Sequence, residues 1–318
     1  MLPAMSSHSD VVFDPAAAHP EVAWLRSALA ARDWPACRAM LDAAAPETRT
    51  RLTVVAGEEP DLADFLRTVL AGDPDDSAAA AVLGSHLTTV GWKVRSSAQA
   101  KFVSREQFAG FHDWLTKAER VLVDAAARNP ADPAVWVARL LTARGLELGQ
   151  AEARRRYDRL AAIDPHHLPG QQHLLQQLCP KWGGSWDEVH TFAREAMDSS
   201  PPGSHNAVLV ALAHIERWMA LDSGADRTYL RTPRVRDEIY QAAGHSVWHP
   251  GFPRTLGWVR VVSEFALLFS ELGDQRAVAS LFAMTGVLAS ESPWHYLGDP
   301  AEVLRERRYY ATGSRGVR

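Results

Sequence analysis

The sequence predicts an all-α protein built from stacked helix hairpins, and three observations carry that prediction. Proline steps recur at Asn129-Pro130, Asp164-Pro165 and Ser200-Pro201, spaced by 35 and 36 residues. Small and large apolar residues precede each proline at matching places: Ala118, Leu122 and Ala125, then Ala153, Tyr157 and Leu160, then Phe192 and Ala196 with a slip of one. Elsewhere the apolar period is helical, most clearly in Trp258, Val261, Val262, Phe265, Leu268, Phe269 and Leu272. The β-branched runs Leu52 to Val55 and Val259 to Val262 both lie inside longer helical patterns, so no strand is expected.

A period near 34 residues with this placement of apolar positions is that of tetratricopeptide-like hairpins, which bury their faces only by stacking into an α-solenoid. Residues 1–19 lack periodicity and read as a flexible arm. Residues 20–222 form the repeat region, clearest over about 100–222, and 223–318 a less regular helical extension continuous with it. Periodicity places helices at 21–31, 34–44, 47–56, 60–71 and 75–92. A capping box from Ser104 to Gln107 opens 105–128, and Asp132-Pro133 opens 133–148. Helices at 150–162 and 168–179 follow, the second stopped by Pro180. Ser185 and Glu188 cap 186–199, while Val208, Leu212, Ile215 and Met219 stripe 205–222. Thr232-Pro233 opens 233–242, the stripe from Trp258 defines 254–272, Val278, Leu281 and Phe282 define 274–289, and Asp299-Pro300 with Glu302 opens 300–310.

Composition narrows the function. The 318 residues are 47% hydrophobic and 23% charged, with 34 basic and 38 acidic side chains and a net charge of −4. That balance provides no electrostatic footprint for nucleic acid or an anionic membrane. Cys37 and Cys179 are too few for a disulfide framework, and no secretory leader or stretch of about 18 apolar residues is apparent, so a cytoplasmic protein is expected.

The segment Cys179-Pro-Lys-Trp-Gly-Gly-Ser-Trp-Asp-Glu188 is the most unusual in the chain. Its helix N-terminus beside Lys181 could hold a carboxylate or phosphate, but the favoured reading is structural: proline stop, glycine turn, Ser185/Glu188 cap and packed tryptophans. With Phe192-Ala-Arg-Glu195 and Ala213-His-Ile-Glu-Arg-Trp218, the run Pro180-Lys-Trp-Gly-Gly-Ser185 resembles an uncharacterised, mostly bacterial family of tetratricopeptide-like proteins. The resemblance covers about residues 100–222. It implies a helical-repeat fold and carries no activity with it.

Catalytic and metal motifs are not found. His214 and Glu216, like Glu188 and His190, are two residues apart and so about 200° apart around a helix, unable to ligate one ion from one face. A site assembled across helices would draw on Glu188, His190, His205 and His214; the favoured role of His214 is a buried hydrogen-bonded side chain. No Gly-x-Ser-x-Gly elbow occurs, and Cys179 lies at a helix end that disfavours a thiolate. Arg154, Arg155, Arg156 and Arg159 read as an exposed arc. Arg227, Arg231, Arg234 and Arg236 flank Tyr229, with Asp226, Asp237 and Glu238 at hand to pair them.

The expected function is a non-catalytic protein- or peptide-binding scaffold that uses a concave groove, without cofactor or metal, in which Arg139, Gln172, Gln176, Lys181, Trp182 and Arg217 contact the partner. The alternative is a small-molecule or metal-dependent enzyme with a site between the middle repeats and the 244–253 loop, using Trp182, His190, His214, Trp248 and His249. A third reading is a tryptophan-lined RNA reader with anion contacts from Arg231 and Arg234. The 244–253 loop itself reads as a hydrophobic plug.

Overall fold

The structure is a computed structural model that describes residues 11–96, 102–222 and 228–313. Among these residues are fifteen α-helices of ten residues or more and no strand beyond an isolated bridge between Val12 and Leu288. Every helix expected from the sequence forms. Two ends shift where the backbone turns left-handed: the seventh helix stops at Gly145, ahead of Glu147 at φ 55°, and the helix expected from 254 starts at Trp258, after Gly257 at φ 100°.

The chain divides into two compact units, Pro20–Val189 and His190–Arg318, the second including the segment that ends at His19. The first holds α1 (Pro20–Ala30), α2 (Trp34–Ala43), α3 (Pro46–Glu58), α4 (Ala63–Gly72), α5 (Ser77–Arg95), α6 (Arg105–Arg128), α7 (Pro133–Gly145), α8 (Gly149–Ala161) and α9 (Leu168–Leu178). Helices α1, α3, α5, α7 and α9 touch in series, and α6 and α8 pack against the members of that row that flank them. Burial in the row is deepest at α5 and α7. From Ala78 to Thr88 every residue of α5 is buried, and so are twelve of the thirteen in α7. Gly84 explains how closely α5 and α6 meet, because an added Cβ would lie 2.4 Å from Leu122. The repeat positions Ala118, Leu122, Ala125, Ala153, Tyr157 and Leu160 are all buried. Each leucine among them contributes about 1.5–3 kcal/mol by leaving water.

Caps agree with the sequence in most places. Ser104 and Gln107 form both bonds of a capping box, and the Asp132 and Asp299 carboxylates accept from Ala134 and Glu302. Thr232 departs: its hydroxyl donates to the Tyr229 carbonyl at 2.8 Å instead of capping.

The second unit holds α11 (Val208–Met219), α12 (Pro233–His245), α13 (Trp258–Leu272), α14 (Gln275–Thr285) and α15 (Pro300–Gly313); the division falls within α10 (Trp186–Ser199). It does not coincide with the expected boundary at 222/223, because α11 packs on α12 and α13. Residues 11–19 are fixed where an arm was expected, since Val12 N–H donates to Val287 O and Ala289 N–H to Val12 O. Residues 1–10 of that arm, and Asp226 and Arg227, lie outside the described residues. The α13 stripe is buried except for half-buried Leu272, whereas Met219 at the end of the α11 stripe is exposed. The 244–253 loop packs by its own aromatics: Trp248 stacks on Phe269 at 4.9 Å, and Phe252 lies 4.9 Å from His205. Among the described residues no helix is long and apolar enough to cross a membrane.

Candidate functional site

Of the six residues expected to contact a partner, Lys181 and Trp182 line a cavity together. Arg139 is turned inward, 8% exposed, ion-paired to Glu119 at 3.0 Å and stacked over Trp136. This corrects its assignment to an open groove, because the Arg139 side chain lies in the interior between α7 and α6. Gln172 and Gln176 are half-buried on α9, and Arg217 in the other unit lies over the Tyr229 ring at 5.2 Å. The arginine run also needs correction at one position. Arg154 and Arg155 are exposed, but Arg156 is 2% exposed and bonds Glu119 and Glu152 at 2.8 and 2.7 Å.

The cavity of about 650 Å³ belongs to the 20–189 unit. Its walls come from Trp92 and Arg95 on α5, Phe108 and Phe111 on α6, Arg144 on α7, Gln177 on α9 and the turn Lys181-Trp182-Gly183. Phe108 and Phe111 share one face of α6 by their spacing of three, and Trp92 meets Phe111 edge-on at 4.7 Å. Arg95 lies over Trp92 and Phe108 at 5.5 and 5.6 Å, and Arg144 over Trp182 at 5.9 Å. The turn is held from behind: the Gln150 amide donates to the Gln177 and Trp182 carbonyls at 2.6 and 2.9 Å. Gly184 must be glycine, since a Cβ would fall 2.1 Å from Leu178 O. The α10 N-terminus next to this turn is occupied by its own cap. Ser185 accepts from Glu188 N–H at 3.2 Å and donates to the Glu188 carboxylate at 2.8 Å, which sets an acid where an anion would bind.

A second recess of about 380 Å³, around Arg38, Arg49, Asp76 and Asp132, differs in kind. Its charges satisfy one another: Arg49 bonds Asp42 and Asp132, and Arg38 bonds Asp73 and Asp76.

In the other unit, His190 and His214 do meet, with ring centroids 4.8 Å apart. Trp248 and His249 do not join them. Trp248 stacks on Phe269, and the His249 Nδ1 accepts from Gly251 N–H at 3.0 Å. His205 is engaged with Pro253 O at 2.8 Å, and Glu188 with Ser185. The groups beside the two histidines are Tyr229 and Glu238. The Tyr229 hydroxyl lies 2.8 Å from His214 Nδ1 and 3.4 Å from His190 Nε2, and His214 Nε2 lies 3.2 Å from Glu238. His190, His214 and Glu238 are the trio among the described residues able to hold a metal, their potential ligand atoms within 4.8 Å of one another. Their surroundings disfavour a cation, because Arg194 and Arg234 already contact Glu238 at 3.7 and 3.1 Å. Arg231 and Arg234 are both exposed, and Arg234 donates from Nε to Glu238 at 3.1 Å.

Burial, then the neighbouring His214 and Arg217, push the His190 imidazole down to about 3, and the His214 hydrogen bond holds Glu238 down at about 2. The unfolded chain takes up these protons near 6.5 and 4.5. Acid therefore favours unfolding: stability is lost as pH falls below 6.5 through the His190 window and below 4.5 through that of Glu238. Replacing His190 with Gln removes the first contribution, so the urea midpoint will fall less between neutral pH and about pH 4 than in wild type. Parallel pH profiles would contradict this assignment.

Lys181 and Trp182, conspicuous in the sequence, stand in the cavity wall, and His190 and His214 are neighbours in the other unit. Trp92, Arg95, Phe108, Phe111, Arg144 and Gln177 carry no mark in the sequence beyond the spacing of Phe108 and Phe111. No protein-family model and no curated protein matches the chain.

Proposed function

We propose that this chain is a non-catalytic binding protein, a tetratricopeptide-like helical scaffold that recognises its ligand in the aromatic and cationic cavity of the 20–189 unit. The serial contacts of α1, α3, α5, α7 and α9, flanked by α6 and α8, support the stacked-hairpin part of this reading. The observation that carries the binding part is the gathering of four aromatic rings with Arg95, Arg144 and Lys181 around one cavity of about 650 Å³. That size and mixture are those of small-ligand sites. A compact ligand seated in this half-open cavity fits these walls better than an extended peptide along a concave groove. Cys37, whose thiol burial pushes up to about 11, and Cys179 are both buried, which suits a reducing cytoplasm.

An aromatic anion, 8-anilinonaphthalene-1-sulfonate, should bind one-to-one and saturably. Trp182→Ala should weaken it about tenfold by removing one wall and the Arg144 stack. The backbone carbonyl held by Gln150 remains, so circular dichroism and melting should change little. Absence of saturable binding, or binding indifferent to Trp182, would overturn the proposal.

A further inference from the structure

Two polar atoms in the wall of this cavity lack partners. Gln177 is 5% exposed, its Oε1 has no hydrogen-bond partner, and its Nε2 faces Trp182 O at 3.5 Å. Turning the amide over would set oxygen against oxygen, so the orphan is an acceptor. Trp92 Nε1, a donor only, is likewise buried without a partner. A buried orphan costs about 1–3 kcal/mol, and a ligand that satisfies it recovers that cost.

We propose that the cavity takes a compact aromatic carboxylate bearing an N–H donor, an inference that rests on reading the cavity as a recognition site. The ring lies among Trp92, Phe108, Phe111 and Trp182. The ligand N–H donates to Gln177 Oε1, and the carboxylate accepts from Trp92 Nε1 beside the positive side chains. Arg95, Arg144 and Lys181 outweigh exposed Glu147, the acid in the lining, which favours a negative ligand. Both orphan atoms are covered, so the ligand meets them through a small rotation of the indole and the amide.

The test is displacement of 8-anilinonaphthalene-1-sulfonate from the full-length protein by three probes. Indole-3-acetate has ring, N–H and carboxylate; benzofuran-3-acetate lacks the N–H; 3-methylindole lacks the carboxylate. Indole-3-acetate is expected to displace the dye, with each of the others weaker by about tenfold. Gln177→Leu is expected to abolish the preference for indole over benzofuran, and Gln177→Glu, which keeps an acceptor, to retain it. If 3-methylindole competes as well as indole-3-acetate, or the dye binds and no probe displaces it, the ligand class falls and the cavity stands. If the benzofuran preference is absent in wild type, the role of Gln177 falls and with it the N–H requirement. If wild type does not bind the dye, the cavity reading itself falls.

Discussion

Replacing Glu119 with alanine will destabilise the 20–189 unit by about 3–5 kcal/mol, the cost of breaking a buried ion pair from one side. Glu119 on α6 is the shared anion of Arg139 on α7 and Arg156 on α8, at 3.0 and 2.8 Å, and Thr142 donates to it as well. Without it two guanidiniums stay in the interior, and only Glu152, itself held down at about 2 chiefly by Arg155, is left to offset Arg156. Glu152→Ala will cost less, because Glu152 is partly open to water and Arg156 retains Glu119. Urea unfolding with hydrogen exchange on α6, α7 and α8 measures both; a loss under about 1 kcal/mol for Glu119→Ala would contradict this role.

Phe269→Ala will cost the other unit about 3–5 kcal/mol through the lost ring and the cavity it leaves. Phe269 is fully buried on α13 and is the platform for Trp248, stacked on it, and for Tyr240, edge-on at 4.9 Å. The 244–253 loop rests on that platform, so the substitution should also open it to limited proteolysis. Phe269→Leu keeps most of the volume and should protect the loop substantially. Unchanged cleavage in Phe269→Ala would show that the loop is seated by other contacts.

Helices were legible because their ends carry local chemistry. Asp132-Pro133, Ser104 with Gln107 and Asp299 with Glu302 each mark a start within four residues of chain, and the structure retains the bonds they imply. Partners across helices were not legible. Arg139 reads as a polar residue on an outward face until Glu119 and Arg156 are known to close on it from neighbouring helices. In the run Arg154-Arg155-Arg156, a turn of 100° per residue carries the third side chain inward while its neighbours stay in water. The Lys181/Trp182 turn was conspicuous for its glycines. Its opposite wall, Trp92 and Arg95, lies about ninety residues earlier on α5 with nothing local to mark it. Glu238 reads as a partner of the nearby arginines and does bond Arg234; its second bond, to His214, is tertiary and has no local mark.

Recognition in the cavity is tested most directly by locating a ligand atom. Crystals grown with 5-bromoindole-3-acetate, measured at the bromine absorption edge, should place the anomalous peak among Trp92, Phe108, Phe111 and Trp182, with the carboxylate toward Arg95, Arg144 and Lys181. A bromine bound elsewhere, or occupancy unaffected by Trp182→Ala, would contradict recognition at this site.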